Sequence, residues 1–408
     1  MATTIWQVPQ SNVKNLNKHA ALDLIRFSQG GVSRIELSRL LGLTRAAASV
    51  IVNDLIQTGL VRETSKRHGG GRNPINLEIN PESGLVIGID LGSTHVTMIL
   101  ANSLAQVLSE VEAPLDITSG PELCLNRLVE IIENWLPSTG VALGQILAVA
   151  VGVPGPVVIE TGMVSAPPIM PGWDKFPIRD WLEARLNCPV SLGNDADFGA
   201  LGEWAYGAAR GEQNLAYIKV GTGIGAGLLL DGQIYHGTTG SAGEIGHITL
   251  VENGPLCTCG NHGCLETLAG GRSIVERAIA GIKEGRRTML SEVPIKNLTS
   301  LDVITAARSG DLFSQKLMIE SGYHLGTAIA NLVNLFNPSI VVVGGGISQL
   351  GDLLLDPIRE TVRQRSLRVS WQSVRISAAV LGKRSSALGA VAQAISMSLH
   401  NIAEGIKS

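Results

Sequence analysis

Apolar positions recur at helical spacing three times near the start of the chain, then give way to short apolar runs broken by glycine turns. The first helical stretch covers about residues 16–27, with Ala20, Leu24 and Phe27 on one face. The second opens after Ser33, a capping residue with Glu36 three positions on to complete a capping box. It carries Ile35, Leu37, Leu40 and Leu41 and stops at Gly42. The third opens after Thr44 and covers residues 45–58 up to a Gly59 stop, with Ala48, Val52, Leu55 and Ile56 inward. Residues 61–64 and 75–79 then read as two strands around a basic glycine-rich loop, residues 66–72. This order predicts a winged helix-turn-helix over residues 1–82. Arg45, Ala46, Ala47 and Ser49 fall on the groove-facing start of its recognition helix, and Arg72 of the wing is placed to reach phosphate or a narrow minor groove. A helical protein-interaction module is the competing reading. The tight turn and the basic wing favour DNA.

Beyond Asn80-Pro81-Glu82-Ser83-Gly84 the apolar runs have strand length. Residues 85–89 and 96–100 flank Asp90-Leu91-Gly92-Ser93-Thr94, and residues 215–220 and 226–230 flank Gly221-Thr222-Gly223-Ile224-Gly225. A third run, residues 340–343, leads into Gly344-Gly345-Gly346. Two hairpins about 130 residues apart predict a duplicated α/β lobe with a nucleotide-sized cleft between the halves. The first lobe is expected over residues 83–197, rejoined by the C-terminal helix within 381–408, and the second over 198–380. Glycine lets phosphate approach backbone and an acid can orient a metal ion, so Asp90, Gly92, Thr94, Thr222, Gly223, Gly344 and Gly345 form the candidate nucleotide set. Between the hairpins, residues 190–192 end in Gly193-Asn194-Asp195-Ala196-Asp197. A carboxylate at such a strand-to-helix turn can take a proton from a substrate hydroxyl, which makes Asp195 the candidate base. Simple capping of the next helix explains the same residues as well.

Composition sharpens this picture at two points. Residues 1–80 hold ten Lys/Arg against five Asp/Glu, while the remainder holds 22 against 30, so a basic head sits on an acidic body. Three of the five cysteines crowd into residues 257–264. No apolar run spans a membrane and no signal peptide opens the chain, so a cytoplasmic protein is expected, where clustered thiols bind metal rather than pair. Cys257, Cys259 and Cys264 with one imidazole make a closed, structural His-Cys₃ zinc site. His262 lies inside the loop with little chain to fold back, so His247 is the preferred fourth ligand. Glu244 and Glu266 flank the cluster and can present carboxylates to hydroxyls, unless they are ordinary surface glutamates. Cys124 and Cys188 read as core residues, and His95, His236 and His324 have no partner that the sequence names.

In this order the motifs Asp90–Thr94, Gly193–Asp197, Gly221–Gly225, Glu244–His247 and Cys257–Glu266 resemble the ROK family of bacterial repressors and sugar kinases on the actin-like, ribonuclease-H-type fold. The head resembles the winged helix-turn-helix of the family's repressors. The resemblance implies sugar contacts at Asn194, Asp195, Glu244, His247 and Glu266, and zinc at His247, Cys257, Cys259 and Cys264. It implies a sugar-responsive repressor that binds operator DNA and a monosaccharide or sugar derivative, as a homodimer or tetramer. An ATP-dependent sugar kinase carrying a DNA-binding head is the alternative. The family's kinases place Gly where Ser93 stands, and Lys or Asn where His95 stands. ATP with magnesium is therefore only a conditional second cofactor, and useful phosphorylation is not expected.

Overall fold

The computed structural model describes residues 10–28, 31–65 and 75–406. The whole wing loop, residues 66–72 with Arg72, lies outside the described residues. In the head, α1 (Gln10–Phe27) precedes α2 (Arg34–Leu40) and α3 (Arg45–Gln57). The capping box of Ser33 and Glu36 is formed, and Thr44 Oγ1 accepts from the Ala47 N–H at 3.2 Å. Strands β1 (Val61–Ser65) and β2 (Ile75–Ile79) pair antiparallel, with Val61 opposite Ile79. Two helical faces differ from expectation. Among the described residues of α1 the buried apolar side chains are Ala21, Leu22 and Ile25, because the helix is covered on two sides and Phe27 turns to meet Trp204. On α3 Ile51 is buried and Ile56 only partly so.

The body holds two sheets of matching design. In the first, β3 (Leu85–Leu91), β4 (His95–Asn102) and β5 (Val107–Pro114) form an antiparallel meander; β6 (Ile146–Val153) and β9 (Val190–Asn194) join parallel beyond β3. Helix α4 (Pro121–Trp135), a small hairpin of β7 (Val157–Val158) and β8 (Met163–Val164), and α5 (Ile178–Leu186) supply the crossovers. Helix α6 (Asp195–Tyr206) leads to the second sheet. There β10 (Leu215–Val220), β11 (Ile224–Leu230) and β12 (Gln233–Ile234) repeat the meander. After α7 (Leu265–Ala269), α8 (Gly271–Lys283), α9 (Ser300–Arg308) and α10 (Leu312–Phe336) comes β13 (Ile340–Gly344). Then α11 (Asp352–Arg365) and α12 (Arg368–Ser373) lead to β14 (Arg375–Ala378), and both late strands again add parallel. The near-continuous apolar runs of β6 and β13 follow from burial on both faces.

The last helix, α13 (Ser385–Glu404), returns to pack on β3, β6 and α6. It lies backbone against backbone on α6: a Cβ at Gly202 would strike the Ser385 carbonyl, and one at Gly389 would strike that of Phe198. One apolar cluster runs through this helix from head to body, from Leu22, Val52 and Leu77 to Val391, Ile395 and Val86. Among the described residues no helix is long and apolar enough to cross a membrane.

Candidate functional site

The end of β9 and the start of α6 split the two readings of Asn194 and Asp195. Asn194 is the helix cap: its Oδ1 accepts from the Ala196 and Asp197 N–H groups, and its Nδ2 donates to Gly155 O at 3.0 Å. Asp195 is the first helical residue and caps nothing. Its Oδ2 accepts from Lys219 Nζ at 2.9 Å. Lys219, from β10, also donates to Asp90 Oδ1 at 3.1 Å and to Ser386 Oγ at 3.1 Å. Ser386 in turn donates to Asp195 O at 2.7 Å. Burial opposes the Lys219 charge, but Asp195 and Asp90 outweigh it and hold the ammonium above its ordinary pKa. Sequence reasoning missed Lys219 and Ser386. The available signal was a lysine inside the apolar run of β10, two residues before a glycine turn. It also missed that buried Asp197 accepts from His236 Nδ1 at 3.1 Å, a hydrogen bond that raises the imidazole pKa.

Glu244-Ile245-Gly246-His247 does not run on as a strand but forms a 3₁₀ turn over Ile245–His247. Gly246 packs directly under the Ile224 carbonyl, and the His247 N–H closes on Glu244 O at 3.1 Å, so the chain curls rather than extends. This curl brings His247 to the thiols. The ligand atoms of His247, Cys257, Cys259 and Cys264 all lie within 4.8 Å of one another. Cys259 Sγ is 3.7 Å from Cys264 Sγ, and Cys257 Sγ is 3.6 Å from His247 Nδ1. Tetrahedral zinc with Zn–S bonds of about 2.3 Å requires ligand separations of about 3.8 Å, so this set can hold such a metal. His262 points elsewhere, toward Gly254 O at 3.1 Å. The other ring nitrogen of His247, Nε2, faces Glu244 at 3.9 Å. Burial raises the Glu244 carboxyl pKa; His247 opposes the shift, and Asp195, Glu266 and Asp197 add to it. Glu266 is no free surface glutamate: its Oε2 accepts from the Ile224 N–H at 3.0 Å, and only a glycine at 223 leaves room for it. Cys124 and Cys188 are core thiols, pushed up to about 12 and about 11 by burial.

The candidate nucleotide residues gather only in part. Asp90 stands in β3 beside Lys219. Ser93 Oγ and Thr222 Oγ1 meet at 3.0 Å, bridging the two phosphate-type turns. Thr94 Oγ1 contacts His95 Nδ1 at 3.4 Å, and Gly92 hydrogen-bonds His95 O at 2.9 Å. Gly344 makes room for Tyr217 on the neighbouring strand, a packing role. Gly345 has φ +82°, as a sharp turn requires.

At the start of the recognition helix, Arg45 and Ala46 are exposed, while Ala47 and Ser49 are half-buried. Arg34 pins that helix to the wing, donating to Asn53 Oδ1 and Glu63 Oε1, both at 2.8 Å. The head is tied to the body through α1. Arg26 Nη1 donates to Ala392 O at 2.9 Å and Ser396 Oγ at 2.8 Å on α13; its Nη2 donates to Tyr206 Oη at 2.6 Å on α6. Lys18 Nζ donates to Ala403 O at 3.0 Å and pairs with Asp54 of α3.

Comparison with known proteins agrees with this layout. The ROK family profile matches residues 86–396, and a MarR family profile matches residues 15–70. A xylose repressor of Caldicellulosiruptor bescii is 34% identical over 388 residues, 94% of this chain and 96% of the repressor. The crystal structure of a ROK family transcriptional regulator, a homologue of the E. coli Mlc protein, superposes with TM-score 0.81 at 29% identity, covering 97% of this chain and 98% of that one. A ROK family glucokinase from Streptomyces griseus, solved with glucose and AMPPNP, superposes at 0.67 with 32% identity, covering 76% of this chain and 99% of the kinase.

Proposed function

This chain belongs to the ROK family, and from that premise we propose that it is a sugar-responsive transcriptional repressor whose head, residues 1–82, binds operator DNA and whose body binds a monosaccharide beside Asp195. One observation carries the coupling. Helices α6 and α13 both begin at the contact of Asp195 with Ser386, and Arg26 of the head hydrogen-bonds both of them further along. A ligand that moves Asp195 therefore pulls on the two helices that the head grips.

Asp195, Asn194, Glu244, His247 and Glu266 are the sugar contacts in this account, presented by both lobes: residues 83–197 with 381–408, and 198–380. Lys219 engages Asp195 through Oδ2. Among the described residues Oδ1 has no hydrogen-bond donor, and it is the acceptor offered to a hydroxyl. Zinc held by His247 Nδ1, Cys257, Cys259 and Cys264 supplies rigidity: it fixes the His247 ring with Nε2 outward and sets Glu266, two residues past Cys264. The recognition helix carries Arg45, Ala46, Ala47 and Ser49 to the groove, Arg72 serves the wing, and a dimer spans two half-sites about one helical turn apart.

Operator binding titrated with a panel of neutral sugars, xylose and glucose first, tests the assignment. A sugar that binds the protein and weakens the operator complex supports it. Sugar-dependent ADP release by the wild type, lost in Asp195→Asn, would establish a sugar kinase instead.

A further inference from the structure

Lys219 stands where kinase chemistry would need a vacant position. It crosses from the second sheet to the first and contacts β3, α6 and α13 at once. Its Nζ lies 3.1 and 3.2 Å from the two carboxylate oxygens of Asp90 and 2.9 Å from Asp195 Oδ2, and the three side chains are 19, 9 and 15% exposed. Phosphoryl transfer asks two things of such a pair. One carboxylate must be free to take the hydroxyl proton, and a divalent cation must bridge the acidic group and the phosphate oxygens. Here one ammonium already bonds both carboxylates, and a divalent ion at the same position would meet it as a like charge at close range. The Ser93–Thr222 contact at 3.0 Å also closes the two turns that would cradle the phosphates. Asp90, Asp195 and the two turns thus do not fit a metal–nucleotide as they stand.

We infer that Lys219 is the resident cation of the cleft: it takes the place of a nucleotide-bound metal between Asp90 and Asp195 and excludes a metal–nucleotide from the site. This inference rests on the sugar site proposed above, and the two fail separately in the following experiment. Full-length wild type, Lys219→Met, and the charge-balanced double variant Lys219→Met with Asp90→Asn are titrated with Mn²⁺, with and without AMPPNP. Binding is read by Mn²⁺ electron paramagnetic resonance and by thermal shift, and xylose and glucose are titrated alongside. Wild type should bind neither Mn²⁺ nor Mn²⁺–AMPPNP. Lys219→Met should bind Mn²⁺ at least about tenfold more tightly than wild type, because two buried carboxylates then face each other uncompensated. If that variant folds poorly, Mn²⁺ should raise its Tm. The double variant, which loses one charge of each sign, should bind Mn²⁺ more tightly than wild type and more weakly than Lys219→Met. Mn²⁺–AMPPNP binding by wild type, or no gain in either variant, overturns the role of Lys219. Failure of every sugar to bind wild type, with the manganese results as expected, overturns the sugar site instead.

Discussion

Cys259 is the exposed member of a candidate ligand set whose other two thiols are buried, so changing it removes a ligand with the least disturbance of packing. Purified protein should carry about one zinc per chain, and Cys259→Ser should lose it, as metal analysis will show. His247 would then lose its anchor and sugar affinity should fall by about tenfold or more, the loss typical when groups that hold a site residue are removed. Metal-free protein that binds sugar normally would refute the link. The His-Cys₃ cluster was legible in the sequence because its thiols lie within eight positions, a spacing that metal chemistry uses. The part-buried cation of the cleft was not. Lys219 meets Asp90 129 positions away and Ser386 167 positions away, and nothing local marks either pairing. Asn194 and Asp195 show the same division. Capping is a local property and suits Asn194, whereas the partner of Asp195 comes from a strand of the other lobe. Asp195→Asn should reduce sugar-induced thermal stabilisation by about 1–3 kcal/mol, since an amide oxygen is a weaker acceptor for a hydroxyl than a carboxylate.

At the scale of elements, the helix starts at Ser33 and Thr44 were readable because a cap and its first turn span four residues. The buried face of α1 was not, since half its cover comes from α13, with Arg26 and Ser396 370 positions apart. That long-range contact carries a prediction. Arg26 is the only side chain among the described residues that hydrogen-bonds both α6 and α13 from the head. Arg26→Ala should leave sugar affinity within about twofold, because the substitution is remote from Asp195, and should leave the recognition helix intact. The effect of sugar on operator affinity should shrink from the usual 5–150-fold of allosteric coupling to below about threefold. Tyr206→Phe removes only the α6 half of the grip and should give an intermediate value. Undiminished sugar relief in Arg26→Ala, measured by fluorescence anisotropy on operator DNA, would show that the signal takes another route.

For the whole molecule, the joint between head and body contains a titratable pair. His19 of α1 and His400 of α13 stack with ring centroids 4.0 Å apart and planes 7° apart. His19 also faces Glu404 at 3.2 Å, and His400 faces Asp23 at 3.4 Å. Burial lowers the His19 pKa below its ordinary 6.5; His400 adds to the drop, while Glu404 and Asp23 oppose it. A base whose pKa is lower in the docked state than when exposed is held neutral by docking. The released state then binds more protons, so docking is at full strength above pH 6.5 and weakens as pH falls through the lowered value. Hydrogen exchange along α1 should therefore accelerate as pH falls from about 7.5 to about 5.5, after correction for intrinsic rates, while exchange in β3 and β6 stays constant. His19→Phe keeps a stacking ring and removes the titration, so its α1 protection should be flat over the same range. Protection of α1 that is independent of pH in the wild type, or equally dependent in His19→Phe, would mean that the stacked pair is inert packing.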